Sequence, residues 1–301
     1  MFITAPAVEM AAIDIAAQLP ASVYELAATA WKAEDEAALK AVFKLARTAW
    51  PTAVAQTDAL EAEYAARSAE KAARIARAHA DRLAAASPFD NWKGTIELGG
   101  AWSTGSTDLL ALYGALKLER EGLRWQHRLF GKVDFQKSDG STTADRYNLG
   151  WQPGYNFSEN MFTYGLGQFE HDQFLGFSAR YTLSTGIGVV LASEPGPKLS
   201  LTGGPAVRHT DYIGKRTANE PAGRAALAFR WKVTPTLALA QDASVFFESD
   251  TTSALSTTAV ETALFPKLKA RLSWEVQYEQ TELADHAPID TTSRATLVYS
   301  F

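Results

Sequence analysis

The amino-acid sequence predicts a mainly β protein, a twelve-stranded antiparallel transmembrane β-barrel preceded by an α-helical region. Its last segment, residues 291–301, alternates apolar and polar side chains and ends on the aromatic Phe301, although chain ends usually fray in water. The same two-residue alternation recurs from residue 93 onward, between turns rich in Gly, Pro and Asp. The composition also changes abruptly near Pro88, from helix-forming residues to Gly, Thr, Trp and Tyr.

The first twenty residues predict a flexible segment, residues 1–20. This segment does not resemble a signal peptide, because it lacks a basic start and because Glu9 and Asp14 interrupt its apolar stretch. If the chain is exported, we expect the sequence to be a mature form or to start inside a longer precursor.

Composition excludes some classes of site. The chain contains no cysteine, which excludes disulfides and thiolate metal sites. Its formal net charge of -5 gives no general basic field, so we expect no nucleic-acid partner. No stretch approaches the roughly 20 consecutive apolar residues that a membrane helix needs.

Residues 21–87 predict a helical region rich in Ala, Glu, Lys, Arg and Leu. We expect helices near residues 21–31, 34–50 and 51–86, the last beginning at Pro51. The long third helix is interpreted as solvated or loosely paired. The alternative is an oligomerisation stalk, or an arm that docks a partner. Few residues separate this helix from the first strand, so we expect it to hang below the membrane in the periplasm rather than plug the barrel.

Residues 88–301 predict the barrel, because its clearest strands separate apolar from charged side chains. In the third strand, for example, Trp125, Leu129 and Val133 alternate with Arg128 and Lys132. The eighth and eleventh strands show the same separation, whereas the tenth, about residues 254–265, is weaker and mostly Thr, Ser and Ala. A water-soluble barrel would instead carry charges on its outer face, so the pattern favours a barrel in lipid.

The connections between predicted strands alternate in length and polarity. Those after odd-numbered strands are longer and more polar, including residues 138–145, 170–176, 211–221 and 281–290. Long external loops with short periplasmic turns are typical of outer-membrane barrels, and an even number of strands places both barrel ends on one side. The sequence therefore predicts an integral barrel of the bacterial outer membrane.

Twelve strands enclose an interior too wide to fill with apolar side chains, so the polar face should line it. Cations outnumber acids on the predicted inward faces. The candidate lumen-lining residues are Arg124, Arg128, Lys132, Arg146, Arg180, Arg208, Arg224, Arg230, Arg271, Glu275 and Arg294. We expect four of these arginines to lie toward the periplasmic half, namely Arg124, Arg128, Arg230 and Arg271.

Three interpretations of the interior stay open. Excess positive charge predicts a narrow channel that favours small anionic solutes. Mixed charges can instead pair and close the barrel. In the third interpretation the barrel is an anchor for the helical region.

An outer-membrane lipid hydrolase is the fourth, less favoured, interpretation. It needs a nucleophile beside an activating base on the outer wall. His127 and His209 fall on outward faces, but His127 is expected near the periplasmic end, where such hydrolases do not act, and His209 has no suitably spaced serine and asparagine. The pairs His171-Asp172 and Asp285-His286 are expected in loops and do not predict a metal site. We therefore expect neither enzymatic activity nor a metal or other cofactor.

Four short motifs resemble one protein family. They are Trp92-Lys-Gly94, residues 103–108 (STGSTD), residues 168–174 (QFEHDQF) and the ending SRATLVYSF. They are similar to the salt-induced outer-membrane protein family, long known as a domain of unknown function, and the helical region resembles an extension found in its alphaproteobacterial members. The resemblance implies an outer-membrane barrel and brings no substrate.

Expected partners follow from the barrel and its ending. Tyr299 and Phe301 resemble the C-terminal signal that outer-membrane barrels present to the barrel-assembly machinery. Outer-membrane lipid should surround the outer face. The helices could bind a second copy of the chain or a periplasmic partner.

Overall fold

The protein is described by a computed structural model that covers residues 18–87, 89–105, 108–192, 196–214, 216–249, 251–280 and 289–301. The chain divides into two compact units, residues 1–82 and residues 83–301. Residues 1–17, which hold most of the segment expected to be flexible, lie outside the described ranges.

The first unit contains the helices α1 (Ala21–Lys32) and α2 (Glu36–Ala49) and all but the last three residues of α3 (Val54–Ala85). A 3₁₀ turn at Pro51–Ala53 leads into α3. The sequence placed the start of α2 two residues early. Glu34 has a left-handed backbone with φ 57°, and the Asp35 side chain accepts a 2.8 Å hydrogen bond from the Ala38 N–H, so Asp35 is the N-cap.

A small apolar core holds these helices together. Its buried members are Leu19, Val23, Ala27, Phe43, Ala46, Ala53, Leu60 and Tyr64. Most of α3 beyond Tyr64 is exposed, including the apolar Ile75. None of the described helices combines the length and apolarity needed to cross a membrane.

Replacing Asp35 with alanine should destabilise α2 by about 1 kcal/mol, because the Ala38 N–H loses its capping acceptor. Hydrogen exchange of the α2 amides in the full-length protein measures this effect. Asp35→Asn keeps the capping oxygen and is the matched control. Equal exchange in the alanine variant and the wild-type protein would contradict the expectation.

The second unit is a closed antiparallel barrel in which each strand pairs with the next along the chain and β1 pairs with β12. Twelve strands lie in the described residues, which confirms the predicted fold. They are β1 (Trp92–Ser103), β2 (Leu109–Glu121), β3 (Trp125–Ser138), β4 (Ser141–Asn156), β5 (Met161–Asp172), β6 (Phe177–Ala192), β7 (Lys198–Tyr212), β8 (Thr217–Lys232), β9 (Leu237–Phe247), β10 (Thr252–Phe265), β11 (Leu268–Glu279) and β12 (Ile289–Ser300).

The barrel exposes its apolar side chains and buries its polar ones. On the outward face, Leu183 is 69% exposed and Leu98 is 61% exposed, whereas the neighbouring Glu97 and Arg180 are 8% and 5% exposed. This distribution is the inverse of the one found in water-soluble proteins, which bury apolar side chains and expose polar ones. It is stable in a membrane because lipid covers the apolar outer wall.

Two of the predicted external loops are shorter than expected, because most of their residues belong to the flanking strands. β3 and β4 meet at the two-residue turn Asp139-Gly140, whose φ angles of 48° and 80° are both left-handed, as in a type I′ hairpin. β7 and β8 extend to Tyr212 and from Thr217, which leaves a short connection. Most of the connection between β11 and β12, residues 281–288, is outside the described ranges.

A β-bulge changes the face of one aromatic residue. Regular alternation along β6 would place Phe177 on the outer wall, on the same face as Tyr181 and Leu183. The register of β6 shifts between Phe177 and Ala179, which turns Phe177 inward, where it is 2% exposed. The Arg180 guanidinium lies 3.9 Å from the centre of its ring. The residues around this bulge are polar and aromatic, and their order does not indicate where the extra residue lies.

The seam between the first and last strands is short. Residues Thr95 to Leu98 pair with Ser300 to Leu297, and Gly94 and Phe301 extend the seam by exchanging two 2.9 Å backbone hydrogen bonds. The Phe301 ring covers Gly94 so closely that a Cβ there would lie 2.2 Å from a ring carbon. The terminal residue therefore takes part in closing the barrel.

Candidate functional site

Contacts between distant strands identify the interior face of the barrel. The Lys132 Nζ on β3 lies 2.7 Å from both carboxylate oxygens of Glu275 on β11, although β12, β1 and β2 separate these strands. Arg180 on β6 similarly donates a 2.6 Å hydrogen bond to Glu279 on β11. Such contacts are possible only across the lumen, so the charged faces point inward.

A central cluster of charges spans the middle of the lumen. Besides Lys132, Glu275 accepts a 3.3 Å hydrogen bond from Arg294, which also forms an ion pair with Asp134. The Arg294 guanidinium lies 4.8 Å from the centre of the Tyr113 ring, and the resulting cation–π interaction further stabilises this guanidinium. Two cations and two carboxylates therefore form a neutral, mutually satisfied group.

The barrel has two rims, and we name them by the chain end. The C-terminal rim holds Phe301 and the turns after even-numbered strands, and the opposite rim holds the other connections. Near the opposite rim, Arg180, Glu279, Arg208 and Glu248 form ion pairs in which the side chains are only 3–11% exposed. Arg208 also donates a 2.8 Å hydrogen bond to the Ser253 hydroxyl. Water therefore barely reaches these side chains.

Toward the C-terminal rim the lumen is more accessible. Arg230 donates hydrogen bonds of 2.8 and 2.5 Å to the two oxygens of Asp242. Six inward side chains in this half are 36–46% exposed, namely Lys117, Glu119, Arg128, Arg230, Asp242 and Lys269, whereas Arg271 and Glu261 are 20% and 16% exposed. Because these side chains face inward, their exposure indicates water inside this half of the barrel.

One candidate residue does not face the lumen. Arg124 lies in the exposed turn between β2 and β3 and donates a 2.9 Å hydrogen bond to the Tyr155 hydroxyl. Tyr155 packs edge-on against the outward Trp125, with ring centres 5.2 Å apart. The prediction for Arg124 was wrong because strand alternation does not continue into a turn. The remaining candidates, from Arg128 to Arg294, lie on inward faces of their strands.

Several inward acids were missed from sequence. Glu170, Asp172 and Asp290 were assigned to loops, but they lie in β5 and β12. Arg146 pairs with Asp172 at 3.0 Å and with Asp290 at 3.2 Å, while Glu170 lies 3.6 Å from Arg208. The alternation of Gln168, Glu170 and Asp172 was the available signal. These acids offset much of the cation excess that the sequence predicted.

The inward charges are unevenly distributed along the barrel axis. In the C-terminal-rim half, the described cations Lys117, Arg128, Arg230, Lys269 and Arg271 outnumber the acids Glu119, Asp242 and Glu261. In the half at the opposite rim, the acids Glu170, Asp172, Glu248, Glu279 and Asp290 outnumber the cations Arg146, Arg180 and Arg208. The field inside the barrel therefore changes sign along the axis.

The outward His209 has polar partners at both ring nitrogens. Its Nδ1 lies 2.7 Å from the Asn219 Oδ1, and its Nε2 lies 3.3 Å from Asp211. Both ring nitrogens thus face an amide or a carboxylate, whereas a base that activates a nucleophile would contact a hydroxyl.

His171 and Asp172 are the last residues of β5, so their expected loop position was wrong. The His171 Nδ1 lies 2.5 Å from the Ser178 carbonyl oxygen, which is a structural contact. Asp285 and His286 lie outside the described residues. Within the described ranges, no group of three or more His, Cys, Asp or Glu is placed to hold a metal ion.

The closed barrel, its apolar outer wall and its ion-paired interior together define an integral β-barrel of the bacterial outer membrane. Within that class, the chain belongs to the family described as "Protein of unknown function, DUF481", whose model matches residues 96–301. The narrower resemblance to salt-induced proteins with a helical extension stays a prediction.

The chain is similar to several known proteins. The uncharacterized protein YdiY of Escherichia coli is 24% identical over 217 residues, which cover 72% of this chain and 84% of that protein. The NanC porin is 7% identical, with a TM-score of 0.46, over 68% of this chain and 98% of the porin. An outer-membrane channel from Pseudomonas putida is 14% identical, with a TM-score of 0.42, over 71% of this chain and 98% of that one.

Proposed function

We propose that the protein is a narrow channel for small solutes whose width is limited by ion pairs inside the lumen. The observation that carries this proposal is the change in exposure of the inward side chains. Six of them are 36–46% exposed toward the C-terminal rim, whereas the ion pairs of Arg180 and Arg208 near the opposite rim are only 3–11% exposed. An aqueous vestibule that leads into an ion-paired constriction supports a small conductance.

The C-terminal rim is assigned to the periplasm in this proposal. The described connections at this rim, such as residues 122–124 and 266–267, are short, as expected on the periplasmic side, although the turn at residues 139–140 of the opposite rim is equally short. Because β1 starts at this rim, the chain that precedes it emerges there. This supports a periplasmic position for the helical region.

A preference for anions belongs to the same proposal. The cation-rich half of the lumen would concentrate anions at the periplasmic mouth. The neutral cluster around Glu275 and the acids beyond it oppose their passage. We therefore expect anion selectivity to be modest in the wild-type protein.

Conductance of the refolded protein in a planar bilayer, with a salt gradient across it, tests the proposal. The expected result is a small, steady current whose reversal potential has the sign of an anion-selective channel. A silent bilayer, with the barrel shown to be folded by circular dichroism and by its gel mobility before boiling, would contradict a channel.

The alternative is a closed barrel that anchors the helical region. The ion pairs of Arg180 and Arg208 favour it, because side chains so little exposed leave little room for solutes. The exposed surface of α3 beyond Tyr64, with Ile75 on it, favours a role in binding a partner or a second copy. Crosslinking of the intact protein in cells, compared with a variant that lacks residues 65–82, would test that role.

A further inference from the structure

Arg224 occupies an unusual position on the inward face of β8. Its guanidinium carbon lies 5.4 Å from the centre of the Tyr164 ring and 5.8 Å from that of Phe246. Tyr164 is on β5, and β6 and β7 separate it from β8, so the contact lies inside the barrel. Two aromatic faces therefore hold this cation near the middle of the lumen.

The partners of Arg224 differ from those of the other inward arginines. Arg180, Arg208, Arg230 and Arg294 each pair with a carboxylate. Arg224 instead donates a long 3.4 Å hydrogen bond to the Thr202 hydroxyl. No carboxylate among the described residues forms an ion pair with it. Its remaining N–H donors are thus available to a ligand.

The neighbouring strand β7 lies close to β6 beside Arg224. The residue paired with Arg224 on β7 is Gly204. A Cβ at Gly204 would lie 2.0 Å from the Thr185 carbonyl oxygen, so the close approach of two backbones requires glycine here. The Thr202 hydroxyl, on the same strand as Gly204, contacts Arg224.

We infer that Arg224 binds a small oxyanion inside the lumen, assisted by the Thr202 hydroxyl. A guanidinium presents parallel N–H groups that match the oxygens of a carboxylate or a phosphate. The rings of Tyr164 and Phe246 orient the cation without neutralising it, which a carboxylate partner would do. The inference rests on the proposed channel and names the class of solute that it carries.

Binding of inorganic phosphate to the detergent-folded, full-length protein tests the site without requiring a current. Phosphorus NMR line broadening of phosphate should be clear with the wild-type protein and reduced at least several-fold in both Arg224→Met and Arg224→Gln. Arg230→Met is the matched control, since it removes the same charge from the same face of β8. Arg230 is already held by Asp242, so this variant should keep the broadening.

Three results would overturn the site. Phosphate broadening could be absent in the wild-type protein, it could persist in both Arg224 variants, or it could fall equally in Arg230→Met. The last result would mean that phosphate responds to the net charge of the lumen. Circular dichroism and gel mobility before boiling show whether each variant has folded. Two different substitutions of Arg224 are used so that the test does not depend on the folding of a single variant.

The site and the channel can fail separately. Arg224-dependent phosphate binding with a silent bilayer would support the site and contradict the channel. A steady current with no Arg224-dependent binding would support the channel and overturn the site.

Discussion

Glu275→Gln should raise the single-channel conductance several-fold and shift the reversal potential further toward anions. The Glu275 carboxylate holds Lys132 at 2.7 Å and Arg294 at 3.3 Å in the middle of the lumen. A neutral amide cannot hold both cations, so the Lys132 side chain is released and the central cluster gains a positive charge. Recordings in a planar bilayer under a salt gradient measure both changes.

The same substitution should weaken the barrel. Removing one partner of a buried ion pair typically costs about 3–5 kcal/mol, and the amide retains part of the hydrogen bonding, so we expect the lower end of this range. Urea unfolding in lipid vesicles, followed by tryptophan fluorescence, measures the loss of stability.

Glu119→Gln is the matched control for Glu275→Gln. Glu119 also contacts two cations, with the Lys117 Nζ at 2.9 Å and the Arg128 Nε at 3.0 Å, but its side chain lies in the water-accessible half of the lumen. The same chemical change there should alter conductance and stability only slightly. Equal effects of the two substitutions would contradict a constriction at Glu275.

Deletion of Phe301 should sharply reduce the amount of folded barrel in the outer membrane. The deletion removes the two hydrogen bonds that Phe301 exchanges with Gly94, each with a net value of about 0.5–1.5 kcal/mol, together with the ring that covers Gly94. The seam between β1 and β12 is short, so it has few other interactions to compensate. Gel mobility of unboiled outer-membrane samples measures the folded fraction.

Two substitutions separate the role of the ring from that of the backbone. Phe301→Ser keeps the backbone hydrogen bonds and removes the ring, and we expect an intermediate loss. Phe265→Ser makes the same change at another exposed aromatic residue of the C-terminal rim, away from the seam, and should have little effect. Equal losses in both serine variants would argue against a special role for the chain end.

Refolding into lipid vesicles distinguishes assembly from stability. If Tyr299 and Phe301 are read by the barrel-assembly machinery, Phe301→Ser should refold in vesicles but accumulate unfolded in cells. Failure in both settings would mean that the ring acts through the seam itself. Normal folding of the deletion variant in cells would contradict both roles.

Sequence reasoning succeeded where the two solvents impose a period of two. In β3 and β11 the lipid side requires apolar residues and the interior tolerates charges, so the alternation assigned Lys132 and Glu275 to one face without any structural information. β10 was harder to recognise, because Thr, Ser and Ala suit either side, yet Thr252–Phe265 is a complete strand.

The same reasoning failed where regular alternation ends. Glu170 and Asp172 were assigned to a loop because polar residues are common in loops, but a charged lumen makes the ends of strands equally polar. Arg124 was counted as an inward residue although it lies in a turn. Phe177 changed faces at a bulge, which depends on the pairing of β6 with β7.

The sequence by itself determined the class of the protein, its two regions and the face on which most charges lie, because each depends on local composition or on a two-residue period. The partners of those charges were decided only by the tertiary structure. Lys132 and Glu275 are 143 residues apart and lie on strands that do not pair with each other. Their contact depends on the closure of the barrel and on the register of every strand between them, which no local pattern records. Among the residues that the structure describes, the same closure gives Arg224 no carboxylate partner, while Arg180, Arg208, Arg230 and Arg294 each pair with one.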